Sequence, residues 1–369
     1  MRVVHVMASA ENGGGARYLR DLLPELRACG VESGVITSRL GTLGESLHEA
    51  GFDVAYVEMM GSRASPSAMW ALRRALREQR PDVVHLHGTR AGFYGALVAS
   101  WGLGATLVYT AHGIAFRREQ HAWSRVPRMV SEALVCQVAN RVMSVSRSDL
   151  QALEALPRWG DWVGRYVPNA VHRERYLADR RRARSLLGVS AEARVVGTVS
   201  RLVPQKAVDV FLAAATALDG VNAVVVGEGP LRGELEAAVE KEGGTVAFLG
   251  ERDDVCDLLA GFDVFVLSSA WEGEPLGLLE AMAAEVPCVA TDTAGSRAIL
   301  AGGDAGLLVP IGNSEALQRA IERLLGESEL RRVVLEGAGR VLASRSIEAH
   351  AGLVVEVYGD SRAVAQGAM

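Results

Sequence analysis

Lysine is nearly missing from this 369-residue chain: of its 39 basic residues, only Lys206 and Lys241 are lysine. Cysteine is scarce as well. The four cysteines (Cys29, Cys136, Cys256 and Cys288) show no CxxC spacing, which argues against a zinc site or a disulfide framework. The net charge of −5 is too mild to point to nucleic acid. Apolar residues at 49% and charged residues at 22% exclude intrinsic disorder and low-complexity structure. The one stretch long enough to span a bilayer, Ala91 to Phe116, has no Asp, Glu, Lys or Arg. However, Gly92, Gly95, Gly102, Gly104 and Gly113 interrupt it, and Gly102-Leu103-Gly104 is a turn signal. It reads as a buried helix over 91–101, a turn and a buried strand over 105–110. The opening MRVVHVMASA is cut by His5 and followed by ENGGGARYL, so it reads as a first strand feeding a glycine loop rather than a secretory signal. A cytoplasmic enzyme is the expectation.

The length predicts two domains. Short β-branched runs (Val3–Ala8, Ser33–Thr37, Asp53–Glu58, Asp82–His87, Thr106–Thr110, Val142–Val145) alternate with helical patterns near 16–28, 66–79 and 123–140. A polar, basic interval follows, Arg173 to Arg184. The alternation then restarts with strands Val195–Val199, Ala223–Val226, Val246–Leu249, Val264–Leu267 and Val286–Ala290. Helices are expected near 204–217, 230–241, 252–260, 277–284 and 314–325, with a last one at about 346–358. Such alternation predicts parallel sheets covered on both faces, an α/β, doubly wound arrangement repeated twice. The domains would be residues 1–170 and 171–345, with 346–369 as a helix and tail free to pack back on the first. Ligands of such folds bind at the carboxyl ends of the strands.

Candidate site residues gather at predicted strand ends. Gly13-Gly14-Gly15 lies between the first strand and the first helix, where glycine lets backbone N–H groups approach an anion. The spacing is not GxGxxG, so a dinucleotide fingerprint fails, and a plain tight turn explains the run equally well. His112 ends a strand. His85 and His87 alternate with Val84 and Leu86, and at least one reads as a sheet histidine. With no HExxH and no carboxylate partner, His85, His87 and His112 do not make a metal site. Arg201 and Lys206 flank Pro204 at a strand-to-helix junction, an arrangement suited to a diphosphate. In the segment SAWEGEPLGLLEAM, Glu272 falls in a loop and Glu280 in the following helix. The helix dipole accounts for Glu274 but not for Glu280, which sits among Leu278, Leu279, Ala281 and Met282 and needs a hydrogen-bonding partner. A glycosidase pair is disfavoured, since Glu272 and Glu280 would lie roughly 8–12 Å apart by helical rise.

Together these residues resemble the retaining glycosyltransferases of the GT-B fold, family 4. The resemblance rests on the E-x7-E element (Glu272 to Glu280), the R-x4-K pair (Arg201, Lys206) and the order of VPNAV, VVGEGPLR and VAFLGERDDV around them. It implies two Rossmann-like domains, an N-terminal acceptor domain and a C-terminal donor domain. It also implies transfer of a sugar from a nucleoside-diphosphate sugar, of the UDP or GDP type, to a sugar, lipid-linked or small-molecule acceptor, with no cofactor and no metal. By the same resemblance Arg201 and Lys206 hold the diphosphate and Glu280 the ribose, while Glu272 contacts the sugar. Backbone at Gly273, Glu274, Pro275, Leu276 and Gly277 lines sugar and phosphate, and Leu249 and Gly250 line the base. Gly13, Gly14 and His112 contribute from the first domain. The chain departs from the family pattern at Ala207 and Ala170, each in place of glycine, and at Ala294 to Ala298, where a carboxylate is lost. A sugar-nucleotide epimerase, a glycan phosphorylase or a non-catalytic binding protein are the alternatives. Two clusters in the +4 first half suit contact with an anionic membrane at the inner face. One is Trp70 with Arg73, Arg74, Arg77 and Arg80; the other runs Phe116-Arg117-Arg118, His121, Trp123, Arg125 and Arg128.

Overall fold

The computed structural model describes residues 1–11, 13–61, 65–99, 101–114, 122–157, 162–241 and 243–366, without the side chains of 122–124 and 360–366. The chain divides into two compact units, Met1–Asn169 with Ile347–Met369, and Ala170–Ser346.

In the first unit the strands are β1 (Arg2–Met7), β2 (Glu32–Thr37), β3 (Asp53–Tyr56), β4 (Val83–His87), β5 (Thr106–Ala111), β6 (Arg141–Ser144) and β7 (Val163–Tyr166). They form one sheet in the order β3-β2-β1-β4-β5-β6-β7, with every pairing parallel. Strands covered on both faces need apolar residues at successive positions; accordingly Val3, Val4 and Val6 are all fully buried. The charge-free stretch from Ala91 is the helix Gly88–Ala99 followed by β5. Its glycines serve packing: a Cβ on Gly95 would stand 2.4 Å from the Leu86 side chain, so glycine lets the helix lie close on β4. Gly102 and Gly104 make the expected turn, at φ 72 and 69. No helix among the described residues is long and apolar enough to cross a membrane. The last helix, Ile347–Gln366, packs Val354, Val357 and Tyr358 into the same core as Leu19 and Leu22 of the helix Gly14–Ala28.

The second unit holds β8 (Arg194–Val199), β9 (Val221–Val226), β10 (Val246–Phe248), β11 (Val264–Leu267), β12 (Cys288–Thr291) and β13 (Leu307–Val309). Their order is β10-β9-β8-β11-β12-β13, again all parallel. Both sheets therefore follow the Rossmann order 3-2-1-4-5-6, with β7 added to the first. The strand order reverses between β1 and β4, and between β8 and β11. Ligands of such sheets bind at these switch points.

Several elements were not expected from the sequence. β7, β13 and the helices Leu43–Glu49, Arg147–Glu154 and Ala294–Ile299 are short; the amphipathic helix Ser328–Leu342, 15 residues long, was missed despite its periodicity. The basic interval is structured: it forms a 3-10 turn, Arg173–Tyr176, and the helix Arg180–Leu186, which Asp179 caps by accepting from Arg182 N. Arg180 and Arg184 both reach Asp263, at 2.6 and 2.9 Å, so the charges bind the helix to β11. The helix expected over 204–217 is broken at its start. A 3-10 turn (Pro204–Lys206) passes through Ala207 at φ 43 before the helix Val208–Thr216 begins.

Candidate functional site

The second unit's site forms where β8, β9, β10, β11 and β12 end. Leu202 N donates to Glu228 O at 2.8 Å and Gly227 N to Gly250 O at 2.7 Å, tying together the loops after β8, β9 and β10. Leu249 and Gly250 thus lie on the same edge as Arg201. The Arg201 side chain is exposed and no hydrogen bond or ion pair engages its guanidinium among the described residues.

Lys206 Nζ donates to Glu272 Oε1 at 2.6 Å, with the two side chains 18% and 7% exposed. Ser269 Oγ donates to the same oxygen at 2.6 Å. The pair bridges the β8 and β11 loops and so straddles the switch point. Gln205 reinforces the bridge: its Nε2 donates to Trp271 O at 3.1 Å, and its carbonyl accepts from Ala270 N at 2.9 Å. Gly295 underlies the loop, because a Cβ there would fall 2.2 Å from Gly273 O and 3.1 Å from Glu272 O.

Glu280 is buried on the helix Leu276–Ala283 and accepts from Tyr176 OH at 2.9 Å, so a protein hydroxyl supplies a partner its burial demands. The dipole explanation of Glu274 is corrected. Glu274 pairs with Arg345 at 2.8 Å, the side chains only 1% and 11% exposed, so a buried cation holds the carboxylate. Pro275 is the N-cap of that helix, where its missing N–H is no loss. The amides of Leu276 and Gly277 have no acceptor among the described residues, leaving two donors at a helix N-terminus for an anion.

The first unit presents a different chemistry. Gly13 caps the helix Gly14–Ala28 in extended backbone, and a Cβ there would meet nothing within 4 Å. None of Gly13, Gly14 and Gly15 lies in the left-handed region; Gly13 and Gly14 are exposed at a bare helix start. His112 directly follows β5 and is half-buried. It joins a histidine cluster larger than the sequence suggested. His5 Nδ1 lies 3.0 Å from His87 Nε2, and His87 Nδ1 lies 3.1 Å from His112 Nε2. His85 spans the hydroxyls of Tyr358 and Thr110, both at 2.6 Å. Burial lowers all four imidazoles: His5 to about 3, His85 and His87 well below 6.5, and His112 to about 4, the last helped by nearby His350. Among the described residues, the three histidines that each bring one ring nitrogen within 4.8 Å of the others are His5, His85 and His87, not the His85–His87–His112 set weighed from sequence.

Residues 13–170 match the profile of the glycosyl transferase 4-like domain, and residues 193–327 that of the glycosyl transferases group 1. The chain belongs to the glycosyl transferases group 1 family. It is 30% identical over 340 residues, 84% of this chain and 83% of the relative, to a GDP-mannose-dependent alpha-mannosyltransferase of Mycobacterium tuberculosis (strain CDC 1551 / Oshkosh). It is 25% identical over 272 residues, 70% of each chain, to the UDP-Gal:alpha-D-GlcNAc-diphosphoundecaprenol alpha-1,3-galactosyltransferase of Escherichia coli. The crystal structure of Anabaena HepE in complex with UDP-glucose superposes with a TM-score of 0.86 at 23% identity, covering 98% of this chain and all of that one (100%). This group 1 glycosyltransferase thus has the GT-B fold of two Rossmann-like domains. Both matched families are glycosyltransferases, which leaves the epimerase and phosphorylase readings without support.

Ala207 replaces the expected glycine yet keeps the left-handed backbone at φ 43, the conformation that favours glycine. Sequence reading missed Tyr176, Ser269, Gln205, Gly295 and His5. Ser269 stood inside SAWEGEPLGLLEAM, Gln205 between Arg201 and Lys206, and Gly295 within Ala294 to Ala298; Tyr176 and His5 gave no signal, their partners being 104 and 82 residues away.

Proposed function

We propose that this glycosyltransferase moves a hexosyl group from a UDP- or GDP-sugar to an acceptor hydroxyl with retention of configuration and without a metal. Donor recognition would fall to the second unit and acceptor recognition to the first. The observation that carries the reading is the Lys206–Glu272 pair beside unengaged Arg201 and the free amides of Leu276 and Gly277. A lysine ammonium has three N–H donors. Bonding Glu272 leaves two for phosphate oxygens, so one cation links the sugar-binding carboxylate to the leaving diphosphate. As the glycosidic bond breaks, charge builds on the β-phosphate, and Arg201, Lys206 and the helix amides meet it with fixed donors. These charges do the neutralising that a divalent ion would otherwise do.

Glu280, oriented by Tyr176, would take the ribose hydroxyls, and the Leu249–Gly250 backbone the base. Glu272 is already held by Lys206 and Ser269, which suits a carboxylate that orients the sugar better than one that attacks it. The acceptor hydroxyl would then attack from the face the diphosphate leaves, keeping configuration, with His112 acting on the transferred sugar. The UDP-Gal and GDP-mannose donors in the relatives' names support a nucleotide-sugar donor, and the diphosphoundecaprenol acceptor of one supports a lipid-linked acceptor. The test is incubation with UDP- and GDP-hexoses and a lipid-diphosphate-sugar acceptor in EDTA. Nucleoside diphosphate should appear only with acceptor, and the product anomer, read by NMR, should match the donor. An inverted product would overturn the stereochemical assignment, and activity lost to EDTA but restored by a divalent ion would overturn the metal-free one.

We further propose that the enzyme is cytoplasmic and touches the inner face of an anionic membrane through its first unit. On the helix Pro66–Gln79, Trp70 is 64% exposed, and Trp101 nearby is 40% exposed. The Arg73 guanidinium lies 5.5 Å from the Trp101 ring and donates to Trp101 O at 3.1 Å. Trp70, Arg73, Arg74, Arg77 and Arg80 line one groove together with Glu78, which pairs with Arg74 at 2.7 Å; the remaining cations and the amphipathic rings suit a phosphate-bearing interface. Of the second cluster, residues 116–118 and 121 and the Trp123 side chain lie outside the described residues. Co-sedimentation with anionic vesicles should fall with salt and with Trp70→Ser and Arg77→Ser together; equal, negligible binding to anionic and neutral vesicles would defeat the proposal.

A further inference from the structure

We infer that His5 and His87 are positioning residues that fix His112 with its proton on Nδ1, so that it faces its ligand as a hydrogen-bond donor. The sheet builds the arrangement. His5 pairs in register with His85, and His87 with Thr110. Alternation along the strands then puts residues 5, 85, 87, 110 and 112 on one face, which the helices Gly14–Ala28 and Ile347–Gln366 cover with Tyr18, His350 and Tyr358.

Each of the two imidazole–imidazole contacts needs one proton. The rings of His5, His87 and His112 are neutral at neutral pH because burial disfavours their charge, so each carries a single proton. A central His87 that donated at both nitrogens would be a cation, and one that accepted at both would be an anion. Only two arrangements remain: every ring protonated on Nδ1, or every ring protonated on Nε2. The far end decides between them. His5 is fully buried, and its Nε2 has no hydrogen-bond partner among the described residues. Protonation on Nε2 would therefore bury an N–H with no acceptor, the rarer and more costly kind of orphan in folded proteins. With Nδ1 protonated, His5 donates to His87, His87 donates to His112 Nε2, and the proton on His112 Nδ1 is left to meet an incoming oxygen. A neutral imidazole so held cannot take a proton at Nδ1. His112 thus serves as a donor to a ligand oxygen such as a sugar hydroxyl, not as a general base. This inference rests on the reading of His112 as acting on the transferred sugar.

The test is a long-range 1H–15N correlation on protein labelled with 15N-histidine, assigned with His87→Leu and His87→Asn variants. In the unaltered protein at neutral pH, His112 should show a protonated Nδ1 and a bare Nε2. In His87→Leu the Nε2–H form should gain population at His112, and turnover should fall several-fold with the donor KM unchanged. His87→Asn, whose amide stands near where Nδ1–H stood, should restore the Nδ1–H form. A bare Nδ1 at His112 in the unaltered protein overturns the inference whatever the turnover, as does an Nδ1–H form that persists in folded His87→Leu. A changed tautomer with unchanged turnover leaves the relay standing and instead overturns the assignment of His112 to sugar transfer.

Discussion

The Lys206–Glu272 pair makes a demand that a loose surface salt bridge would not. Glu272 is 7% exposed, and Lys206 and Ser269 meet one oxygen, each at 2.6 Å. Replacing Lys206 by Met keeps the stem but leaves a buried carboxylate with the Ser269 hydroxyl. Removing one partner of a buried pair destabilises by about 3–5 kcal/mol. Because Ser269 remains and Lys206 is partly exposed, the lower end, about 3 kcal/mol, is expected. For a unit of this size that lowers its melting temperature by roughly 6–12 °C. Glu272→Gln removes the charge but keeps the shape, and the freed ammonium can turn to water, so about 1–2 kcal/mol is expected. The double variant, with neither charge left, should lose far less than the sum, by about 2 kcal/mol or more. Urea denaturation of the four proteins, following the second unit's transition, measures this coupling. Effects that add within about 0.5 kcal/mol would refute the claim that the two side chains act as one unit.

Other consequences are separate. Gly295→Ala should push the Glu272–Gly273 backbone outward, since its Cβ would fall 2.2 Å from Gly273 O; turnover should drop at least tenfold with the second unit still folded, and an undisturbed kcat would show that the loop tolerates the shift. Asp263→Ala strips the buried Arg184 guanidinium, 5% exposed, of its carboxylate, so a loss of about 3–5 kcal/mol is expected, and a melting temperature within a degree or two of the parent's would refute it. The buried histidines predict acid sensitivity of the first unit. Their folded pKa values, about 3 for His5 and about 4 for His112, lie below the unfolded value of about 6.5. Protons therefore bind the unfolded chain first: stability is complete above pH ~6.5 and declines as pH falls toward 4, by about 1.4 kcal/mol per unit for each histidine. Calorimetry that finds the first unit's transition unmoved between pH 7 and 5 would contradict this.

The sequence carried the architecture well, because parallel strands buried on both faces announce themselves as β-branched runs such as Val195–Val199. β13, the three residues Leu307–Val309, was not read as a strand, although β10 is equally short. The basic interval misled for a definite reason: Arg180 and Arg184 look solvated until the fold brings Asp263 to them from about 80 residues away. Motif spacing found Arg201, Lys206, Glu272 and Glu280 but not what they touch. Glu280 announced its need for a partner through its apolar neighbours, yet nothing local identified Tyr176. Glu274 was misassigned because a carboxylate at a helix start has a local explanation, while Arg345 is 71 residues distant. At least one of His85 and His87 read as a sheet histidine; only the register with β1 reveals His5 and the chain that runs through His87 to His112.

The most direct test of the account is calorimetric titration of UDP and GDP into the parent protein and the Arg201→Ala and Lys206→Met variants. The carboxyl edge of the second sheet, as a diphosphate site, requires that at least one nucleotide bind the parent. Each variant should lose about 1.5–3 kcal/mol of that binding, the worth of a charge-assisted hydrogen bond, which is about 10- to 150-fold in Kd. Binding to the parent that both folded variants retain unchanged would place the diphosphate elsewhere and contradict the account.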